Sequence, residues 1–520
     1  MNRRHFIKGA STAVAVPAIL NGLPVSAMAN SSLIQLLSQS GDCDDHVLVM
    51  IQLNGGNDGL NTVIPIDQYG KLAAARSNII IPENKLLKLQ NDQSVGLHPA
   101  MKRIHEMNGD GLVTLIQSVG YPNQDFSHFR STDIWLSASD ANVVEPTGWL
   151  GRYLQTEHPD FPAGYPNTDT PDPMAIQIGY VVSPAFMGTN GTMGMAITDA
   201  DYFYQLLTDT ENTSVDTPRG HELAFLRQTA RQTNAYADRI KAAAANATNL
   251  SSLYPVGNPL ADQLKIVSRM IAGGLKTKLY MVGISGFDTH SAQIQNGDTT
   301  QGAHAELLKG VSEAIYAFQD DLKLHHVDDR VLGMTFSEFG RRITSNGSLG
   351  TDHGAAAPMF LFGKSFPGKV IGANPTIPNA PTVNDNLPME TDFRSVYSSI
   401  LKDWFCVEDH VVDGILGGDF EHLPLTTGIN DIAGRRQLNI YPNPLVQSTR
   451  IHFESYGEDV KVELINTLGM RVKFIERQYF PAGQAFVDID GRDLPSGNYF
   501  VRLSSKKMSV TQPIIKVEAH

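Results

Sequence analysis

Apolar positions follow two different periods along the chain, and the change falls near residue 430. From residue 46 to about 420, short runs of almost continuous apolar residues alternate with longer segments of helical spacing. The runs lie at 46–53, 111–120, 174–178, 278–284, 331–336 and 359–362, and the helical segments at 222–245, 261–275, 303–324 and 392–404. Because such runs are typical of strands buried on both faces, the pattern predicts an α/β domain with a mainly parallel sheet flanked by helices.

The last 90 residues alternate apolar and polar positions with a period of two. The alternating segments lie at 450–454, 460–464, 486–489 and 499–503, with turn residues between them. This pattern predicts a small C-terminal antiparallel β-sandwich. We therefore divide the chain into an N-terminal leader at 1–29, an α/β core at 30–430 and the sandwich at 431–520.

The leader has the three parts of a signal peptide, with cleavage expected after Ala29. Arg3, Arg4 and Lys8 precede an apolar stretch at 9–20 that is too short to span a bilayer. The arginine pair and the residues after it resemble the twin-arginine motif, which implies the twin-arginine translocase as a partner and export to the periplasm. An ordinary secretory signal is the alternative, and no other segment is apolar enough to cross a membrane.

Charge and cysteine content exclude several classes of protein. The net charge is −13, and because the two ends of the chain are basic, the middle carries −18. We therefore expect no nucleic-acid partner. The two cysteines, Cys43 and Cys406, have no C-x-x-C spacing, which excludes a thiolate zinc site. The sequence leaves open whether these two cysteines form a single disulfide or remain buried thiols.

Carboxylates and imidazoles follow several of the predicted strands. They are Asn57, Asp58, Asp288, His290, Glu338, Asp352 and His353. Ligands of open parallel sheets gather beyond the carboxyl ends of the strands, so these side chains are candidate ligands for one or two divalent ions, Zn, Mn, Mg or Ca. Each also has a simpler interpretation as a turn, cap or loop residue.

A second cluster lies between the run at 111–120 and a helical segment near Trp135. Ser127 is the candidate nucleophile, because the amides and dipole at a helix start favour an anionic substrate. His128 follows it, and Arg130 could pair with a phosphate or sulfate. The alternative is that Ser127 only caps the helix.

Seven short segments of the chain together resemble the bacterial family called domain of unknown function 1501. The matching segments are LNGGNDGLNT (53–62), LHPA (97–100), SHF (127–129), GWLGR (148–152), FDTH (287–290), FSEFGR (336–341) and GTDHG (350–354). The family resembles the alkaline phosphatase and sulfatase superfamily, which implies an alkaline-phosphatase-like fold and one or two metals. By that resemblance Ser127 takes the nucleophile position. The ligand positions fall to Asn57 or Asp58, to Asp288 with His290, to Glu338, and to His353 with or without Asp352.

Two departures from the superfamily pattern limit the expected chemistry. Glu338 is followed by Phe339 rather than by a histidine, and the Cys/Ser-x-Pro-x-Arg signature of sulfatases is absent. The absence of that signature argues against a formylglycine sulfatase.

The sandwich carries its own resemblance. LNIYPNP (438–444) and LPSGNY (494–499) are similar to the type A C-terminal sorting domain of type IX secretion. This implies the type IX machinery as a partner and delivery to the outer cell surface or the medium. An accessory sandwich that stabilises the protein or binds carbohydrate is the alternative.

The leading hypothesis is an exported metal-dependent hydrolase of phosphate or sulfate esters, acting on a small anionic ester or a glycan. His128 or His290 would move protons, and Arg130 or Arg341 would offset developing charge. The alternative is a non-catalytic surface binding or assembly protein that retains the fold.

Overall fold

The computed structural model describes residues 19–20, 23–24, 43–199, 234–425, 439–455, 457–466, 471–481, 483–504 and 509–517. The predicted signal peptide therefore lies outside the described residues, except for the paired strands Ile19–Leu20 and Leu23–Pro24. The first half of the helix predicted at 222–245 also lies outside them, and residues 234–246 are helical. The chain divides into two compact units, one of residues 43–427 and one of residues 1–42 with 428–520.

A nine-stranded sheet forms the centre of the first unit. Its strands are β1 Val47–Asn54, β5 Val113–Gly120, β6 Ala175–Ile178, β9 Gly194–Ile197, β10 Leu279–Ser285, β11 Val331–Phe336, β12 Ala357–Phe362, β13 Val370–Ile371 and β14 Thr391–Asp392. They lie in the order β9-β6-β10-β1-β11-β12-β5-β13, with β14 also paired to β5. The pairs are parallel except for those of β12, which runs antiparallel to β11 and β5. The prediction of an α/β fold with a mainly parallel sheet is confirmed.

The remaining strands of this unit are short. Three of them, β2 Val63–Pro65, β3 Leu87–Lys88 and β4 Val95–Leu97, form a small antiparallel sheet. The other two, β7 Met187–Gly188 and β8 Gly191–Thr192, form a hairpin.

Helices cover both faces of the central sheet. They are α1 Gly59–Thr62, α2 Tyr69–Ala75, α3 Lys102–Gly109, α4 His128–Ser137, α5 Trp149–Glu157, α6 at 234–246, α7 Pro259–Ala272, α8 Ala303–Leu324, α9 Phe393–Ser399 and α10 Asp409–Leu416. A π-helical turn, Ile400–Trp404, continues α9, and 3₁₀ turns lie at Cys43–Asp45, Ile66–Gln68, Glu83–Lys85, Pro184–Phe186 and Asp328–Arg330.

Strand β1 shows why the apolar runs are continuous. Val47, Val49 and Ile51 pack in a core with residues of α3, α6, α7 and α8. Leu48 and Met50 pack on the other face with residues of α4, α5, α9 and α10. Since successive side chains of a strand point to opposite faces, a strand between two helical layers must be apolar at both sets of positions.

The direction of β12 brings an additional loop to the carboxyl edge of the sheet. Strands β10, β1, β11 and β5 are parallel to one another, so their carboxyl ends meet at one edge. Because β12 lies between β11 and β5 but runs the opposite way, it starts at this edge. The loop that precedes β12 therefore lies beside the loops that follow its neighbours.

A disulfide joins Cys43 to Cys406, which lie near the two ends of the first unit. The sequence left open whether these two residues meet. Within the part of the chain that is described, no helix is both long and apolar enough to cross a membrane.

Two antiparallel sheets make up the C-terminal part of the second unit. Their strands are β15 Asn439–Tyr441, β16 Ser448–Ser455, β17 Glu458–Asn466, β18 Arg471–Phe480, β19 Gly483–Asp490, β20 Gly497–Ser504 and β21 Ser509–Lys516. One sheet has the order β15-β16-β19 and the other β18-β17-β20-β21. Ile451 and Val487 of the first sheet share one core with Val462 and Val501 of the second, as expected of a β-sandwich.

Candidate metal centre

The candidate site lies at the carboxyl edge of the central sheet and draws on five neighbouring strands. Residues 55–58 follow β1, 126–128 follow β5, 287–290 follow β10 and 337–341 follow β11. Residues 350–353 precede the antiparallel strand β12. Segments that are up to about 300 positions apart in the sequence thus meet at one place, as the strand-end rule predicts.

Asp288 is the centre of the group. Its Oδ1 lies 3.1 Å from Nε2 of His290 and 3.2 Å from Nε2 of His353, and it accepts a hydrogen bond of 2.7 Å from Arg341. Its Oδ2 lies 3.5 Å from Nε2 of His128. Burial opposes ionisation, but the hydrogen bonds from Arg341 and His353 outweigh it and lower the pKa of Asp288 to about 2. Asp288 is therefore a carboxylate at neutral pH.

Each of the three imidazoles has its Nδ1 next to an acceptor. Glu338 Oε1 lies 2.8 Å from Nδ1 of His128, and Asp352 Oδ1 lies 3.2 Å from Nδ1 of His290. The carbonyl oxygen of Phe126 lies 2.9 Å from Nδ1 of His353. These partners can only accept, so with a metal ion bound at the Nε2 atoms each ring would keep its proton on Nδ1 and offer the Nε2 lone pair to the ion.

The three Nε2 atoms converge on the carboxylate of Asp288. Nε2 of His290 and Nε2 of His353 are only 2.9 Å apart, a contact that two lone pairs cannot make without a proton or a cation between them. Burial is the main cause that lowers the pKa of His353, which favours the neutral form of this ring, the form that binds metals. Imidazole nitrogens with an outer hydrogen-bond partner and a shared carboxylate are the usual ligand set of a divalent transition metal.

His128, Asp288 and His353 could hold a metal ion, because one ligand atom from each lies within 4.8 Å of the others. The side chains of His128, His353 and Asp288 are 35%, 21% and 47% exposed, so the group is open to solvent on one side. These residues fit a metal by donor chemistry as well as by geometry.

Glu338 lies behind His128 rather than among the converging Nε2 atoms. Its carboxylate is buried, and Oε1 also accepts a 2.8 Å hydrogen bond from the backbone N–H of Gly55. Asp352 has the corresponding position behind His290. Both carboxylates orient an imidazole in this arrangement, whereas the sequence suggested that they were ligands themselves.

Asn57 and Asp58 are not brought to the group. Oδ1 of Asn57 is 2.9 Å from Nε2 of His304 and accepts from Thr62 at 3.1 Å. Asp58 is fully buried and forms an ion pair of 2.9 Å with Arg76, which holds the pKa of Asp58 below its usual value although burial opposes this. Their oxygens are thus hydrogen-bonded within a buried polar network and are not among the atoms that converge on Asp288.

The two arginines are also engaged elsewhere. Arg130 donates to the carbonyls of Asp140 and Ala141 at 3.0 and 3.1 Å, which holds the loop after α4. Arg341 is buried and donates to the carbonyl of Gly56 at 2.6 Å, to that of Thr351 at 2.8 Å and to Asp288. Arg130 therefore does not face the group, and Arg341 fixes its loops and its carboxylate.

Ser127 is exposed at the start of α4, between Phe126 and His128, which both contact the group. Its side chain makes no capping hydrogen bond to the helix, although its position is that of the cap. The capping interpretation is therefore not supported, and the hydroxyl is accessible beside the group.

Sequence reasoning did not identify Gln293, Thr289 or Thr351 as part of the site. The amide of Gln293 is buried and contacts both threonine hydroxyls, at 3.1 and 3.0 Å. Both threonines adjoin candidate ligands in the sequence, in FDTH and GTDHG, and this adjacency was the only signal available.

Fold and site define the class of this protein as an α/β domain with a candidate metal centre at one sheet edge, followed by an antiparallel β-sandwich. Residues 221–420 match the family described as "Protein of unknown function (DUF1501)", and residues 439–517 match the "Secretion system C-terminal sorting domain". The first match supports the family resemblance over the part of the chain that holds FDTH, FSEFGR and GTDHG, and the second confirms the resemblance to the sorting domain. The sorting domain indicates export, with secretion or attachment to the cell surface. A search of curated proteins finds no match to this chain.

Several solved structures are similar to this chain at low identity. A protein in the alkaline phosphatase superfamily from Vibrio parahaemolyticus is 10% identical, with 90% of this chain and 79% of that chain covered and a TM-score of 0.35. The phosphonate monoester hydrolase SpPMH from Silicibacter pomeroyi is 9% identical, with 90% and 88% covered and a TM-score of 0.31. The PsFucS1 sulfatase from Pseudoalteromonas sp. is 11% identical, with 92% and 91% covered and a TM-score of 0.33. At these TM-scores the site has to be understood from its own residues.

Proposed function

We propose that this protein is an exported metal-dependent hydrolase of phosphate or sulfate esters. The observation that carries the proposal is the convergence of three Nε2 atoms on Asp288, each imidazole being held through Nδ1 by an acceptor. His128, Asp288 and His353 would hold the ion, and His290 contacts the last two. Nitrogen-rich ligation favours Zn or Mn over Mg or Ca.

A bound divalent cation would supply positive charge that polarises an ester oxygen and lowers the pKa of a nearby hydroxyl or water. Ser127 is the proposed nucleophile, since its hydroxyl is exposed beside His128 and is not used as a cap. The free N–H groups at the start of α4 favour an anionic group there. Glu338 Oε1, 2.8 Å from Nδ1 of His128, would accept the Nδ1 proton while Nε2 binds the ion.

Two features support the proposed delivery of the protein. The sorting sandwich implies the type IX machinery, and a disulfide such as Cys43–Cys406 is typical of proteins outside the cytoplasm. Passage through the periplasm by the twin-arginine translocase is proposed from the Arg3-Arg4 motif alone.

One observation favours the alternative, a binding or assembly protein without turnover. Arg130 and Arg341, the two side chains expected to neutralise a phosphate or sulfate, are both engaged with backbone carbonyls. Any charge that develops at the site would then depend on the metal and on the start of α4. In the alternative, the same centre would bind an anionic ligand without cleaving it.

The test combines metal analysis with hydrolysis assays on the full chain, purified without a polyhistidine tag. Metal content is measured by mass spectrometry, and turnover is measured with 4-nitrophenyl phosphate, 4-nitrophenyl sulfate and bis(4-nitrophenyl) phosphate. We expect about one or two metal ions per chain and hydrolysis of at least one ester. Ser127→Ala should abolish hydrolysis with the metal retained, and His353→Ala should lose both.

His422→Ala is the matched control, because His422 is also partly exposed and lies 2.9 Å from a single aspartate, Asp403. It should leave metal content and hydrolysis unchanged. Stoichiometric metal without turnover on any ester would support the binding protein. Absence of metal from the wild type, even after incubation with Zn²⁺ or Mn²⁺, would contradict both forms of the proposal.

A further inference from the structure

The buried side chain of Gln293 joins the two segments that carry most of the candidate metal centre. Its Oε1 accepts hydrogen bonds from the hydroxyl of Thr289 at 3.1 Å and from that of Thr351 at 3.0 Å. Thr289 lies between Asp288 and His290, and Thr351 directly precedes Asp352 and His353. One amide oxygen thus binds the loop after β10 and the loop before β12 at the same time.

The orientation of this amide is determined by Asp58. Nε2 of Gln293 donates to Oδ2 of Asp58 at 2.6 Å, and Asp58 is in turn paired with Arg76. A buried carboxylate accepts only from the NH₂ end of an amide, so Oε1 must face the two threonines. Both lone pairs of Oε1 are then used, and the amide has no alternative arrangement that satisfies its partners.

Direct backbone contacts between the two segments leave little room for either segment to move independently of the other. The N–H of Thr351 donates to the carbonyl of Thr289 at 3.1 Å. A Cβ atom at Gly350 would lie 2.4 Å from the carbonyl oxygen of His290, so the segments are in direct contact there. Movement of either threonine therefore changes the separation between His290 and His353, whose Nε2 atoms are 2.9 Å apart.

We propose that Gln293 is a positioning residue of the metal centre, which sets the separation between the Asp288–His290 pair and His353 through Thr289 and Thr351. This inference rests on the proposed function, because it assigns Gln293 to the same centre. It goes further in giving a role to a buried network that contacts no substrate. Groups behind metal ligands typically change metal affinity by 10- to 100-fold when they are altered.

The test measures binding of Zn²⁺ and of Co²⁺ alone to the full chain, with the Co²⁺ absorption spectrum as a report on ligand geometry. Gln293→Met keeps the length of the side chain and removes both polar ends. We expect its metal dissociation constant to rise 10- to 100-fold and its Co²⁺ spectrum to change. Thr289→Val and Thr351→Val each remove one hydroxyl and should have smaller effects in the same direction.

A coupling measurement separates positioning from general destabilisation. Because both hydroxyls act through Oε1, Thr351→Val should add little to the effect of Gln293→Met in the double variant. Ser268→Ala is the control, since it removes a buried 2.7 Å hydrogen bond to Asp321 in the same unit. It should lower the melting temperature and leave metal affinity unchanged.

Each outcome decides the inference. If Gln293→Met does not fold, the two threonine variants carry the test. Metal affinities within twofold of wild type in the folded variants would overturn the inference while leaving the proposed function intact. So would an equal loss of affinity in Ser268→Ala. A wild-type chain that binds neither ion would refute the proposed function, and the inference would fall with it.

Discussion

Replacement of Glu338 by glutamine tests whether this carboxylate acts through His128. Oε1 of Glu338 accepts from Nδ1 of His128 and from the N–H of Gly55, both at 2.8 Å, and Oε2 is 3.3 Å from the hydroxyl of Ser337. A glutamine amide has the same size and can keep Oε1 toward both donors. Glu338→Gln therefore removes the charge while retaining the geometry.

The expected magnitude follows from the loss of charge in two hydrogen bonds. A bond to a charged group contributes about 1.5–3 kcal/mol and a neutral one about 0.5–1.5 kcal/mol, so the bond to His128 should lose about 1 kcal/mol or slightly more. Since about 1.4 kcal/mol corresponds to a factor of ten, a loss of about 1 kcal/mol should weaken metal binding about fivefold. Glu338→Ala also leaves the buried N–H of Gly55 without a partner and should cost a further ~1–3 kcal/mol in the free energy of unfolding.

The assay is calorimetric titration of Zn²⁺ into the full chain, together with thermal unfolding of the metal-free protein. Glu338→Gln should lower the affinity for Zn²⁺ with little change in the melting temperature, whereas Glu338→Ala should lower both. If Glu338→Gln abolishes binding altogether, Glu338 is itself a ligand. Wild-type affinity in both variants would contradict this role of Glu338, because His128 would then need no partner at Nδ1 to bind the metal.

Three further predictions concern the first unit. Gly55→Ala should destabilise the protein by more than about 2 kcal/mol and weaken metal binding, because φ is +121° there and a Cβ atom would lie 2.3 Å from the backbone nitrogen of Asp288; a wild-type melting temperature would contradict this. Burial lowers the pKa of His304 from 6.5 to about 4. Between these two pH values His304 is protonated in the unfolded chain but neutral in the folded protein, which favours unfolding. Stability should therefore fall by about 3 kcal/mol between pH 6.5 and 4, less so in His304→Gln, as measured by urea unfolding across that range. The Cys43–Cys406 bond spans 363 residues, so its reduction should lower the free energy of unfolding by about 3–5 kcal/mol and lower the melting temperature accordingly. The melting temperature of Cys406→Ser should not change when reductant is added.

The sequence predicted the elements of the α/β unit well because their signals are local. The helix expected at 303–324 is found at Ala303–Leu324, and the strand expected at 331–336 at Val331–Phe336. A strand that is buried between two helical layers is apolar on both faces, so a short stretch of sequence is enough to recognise it. The sequence did not indicate that β12 runs antiparallel to its neighbours, because a strand has the same burial pattern whichever way it runs.

The candidate site was only partly predictable, for a different reason. A carboxylate at a strand end has the same appearance in the sequence whether it faces a site, as Asp288 does, or forms a buried ion pair, as Asp58 does with Arg76. The same limit applies to Arg130, whose chain length allows it to reach the loop after its own helix. Which partner a polar group finds depends on contacts between distant segments, and those become visible only in three dimensions.

The most direct test of the proposed metal centre is anomalous diffraction from crystals of the protein grown with Zn²⁺, recorded on both sides of the zinc absorption edge. We expect a zinc peak within about 2.0–2.2 Å of Nε2 of His353, Nε2 of His128 and a carboxylate oxygen of Asp288. No peak between these side chains, at zinc concentrations that fill other sites on the protein, would contradict it.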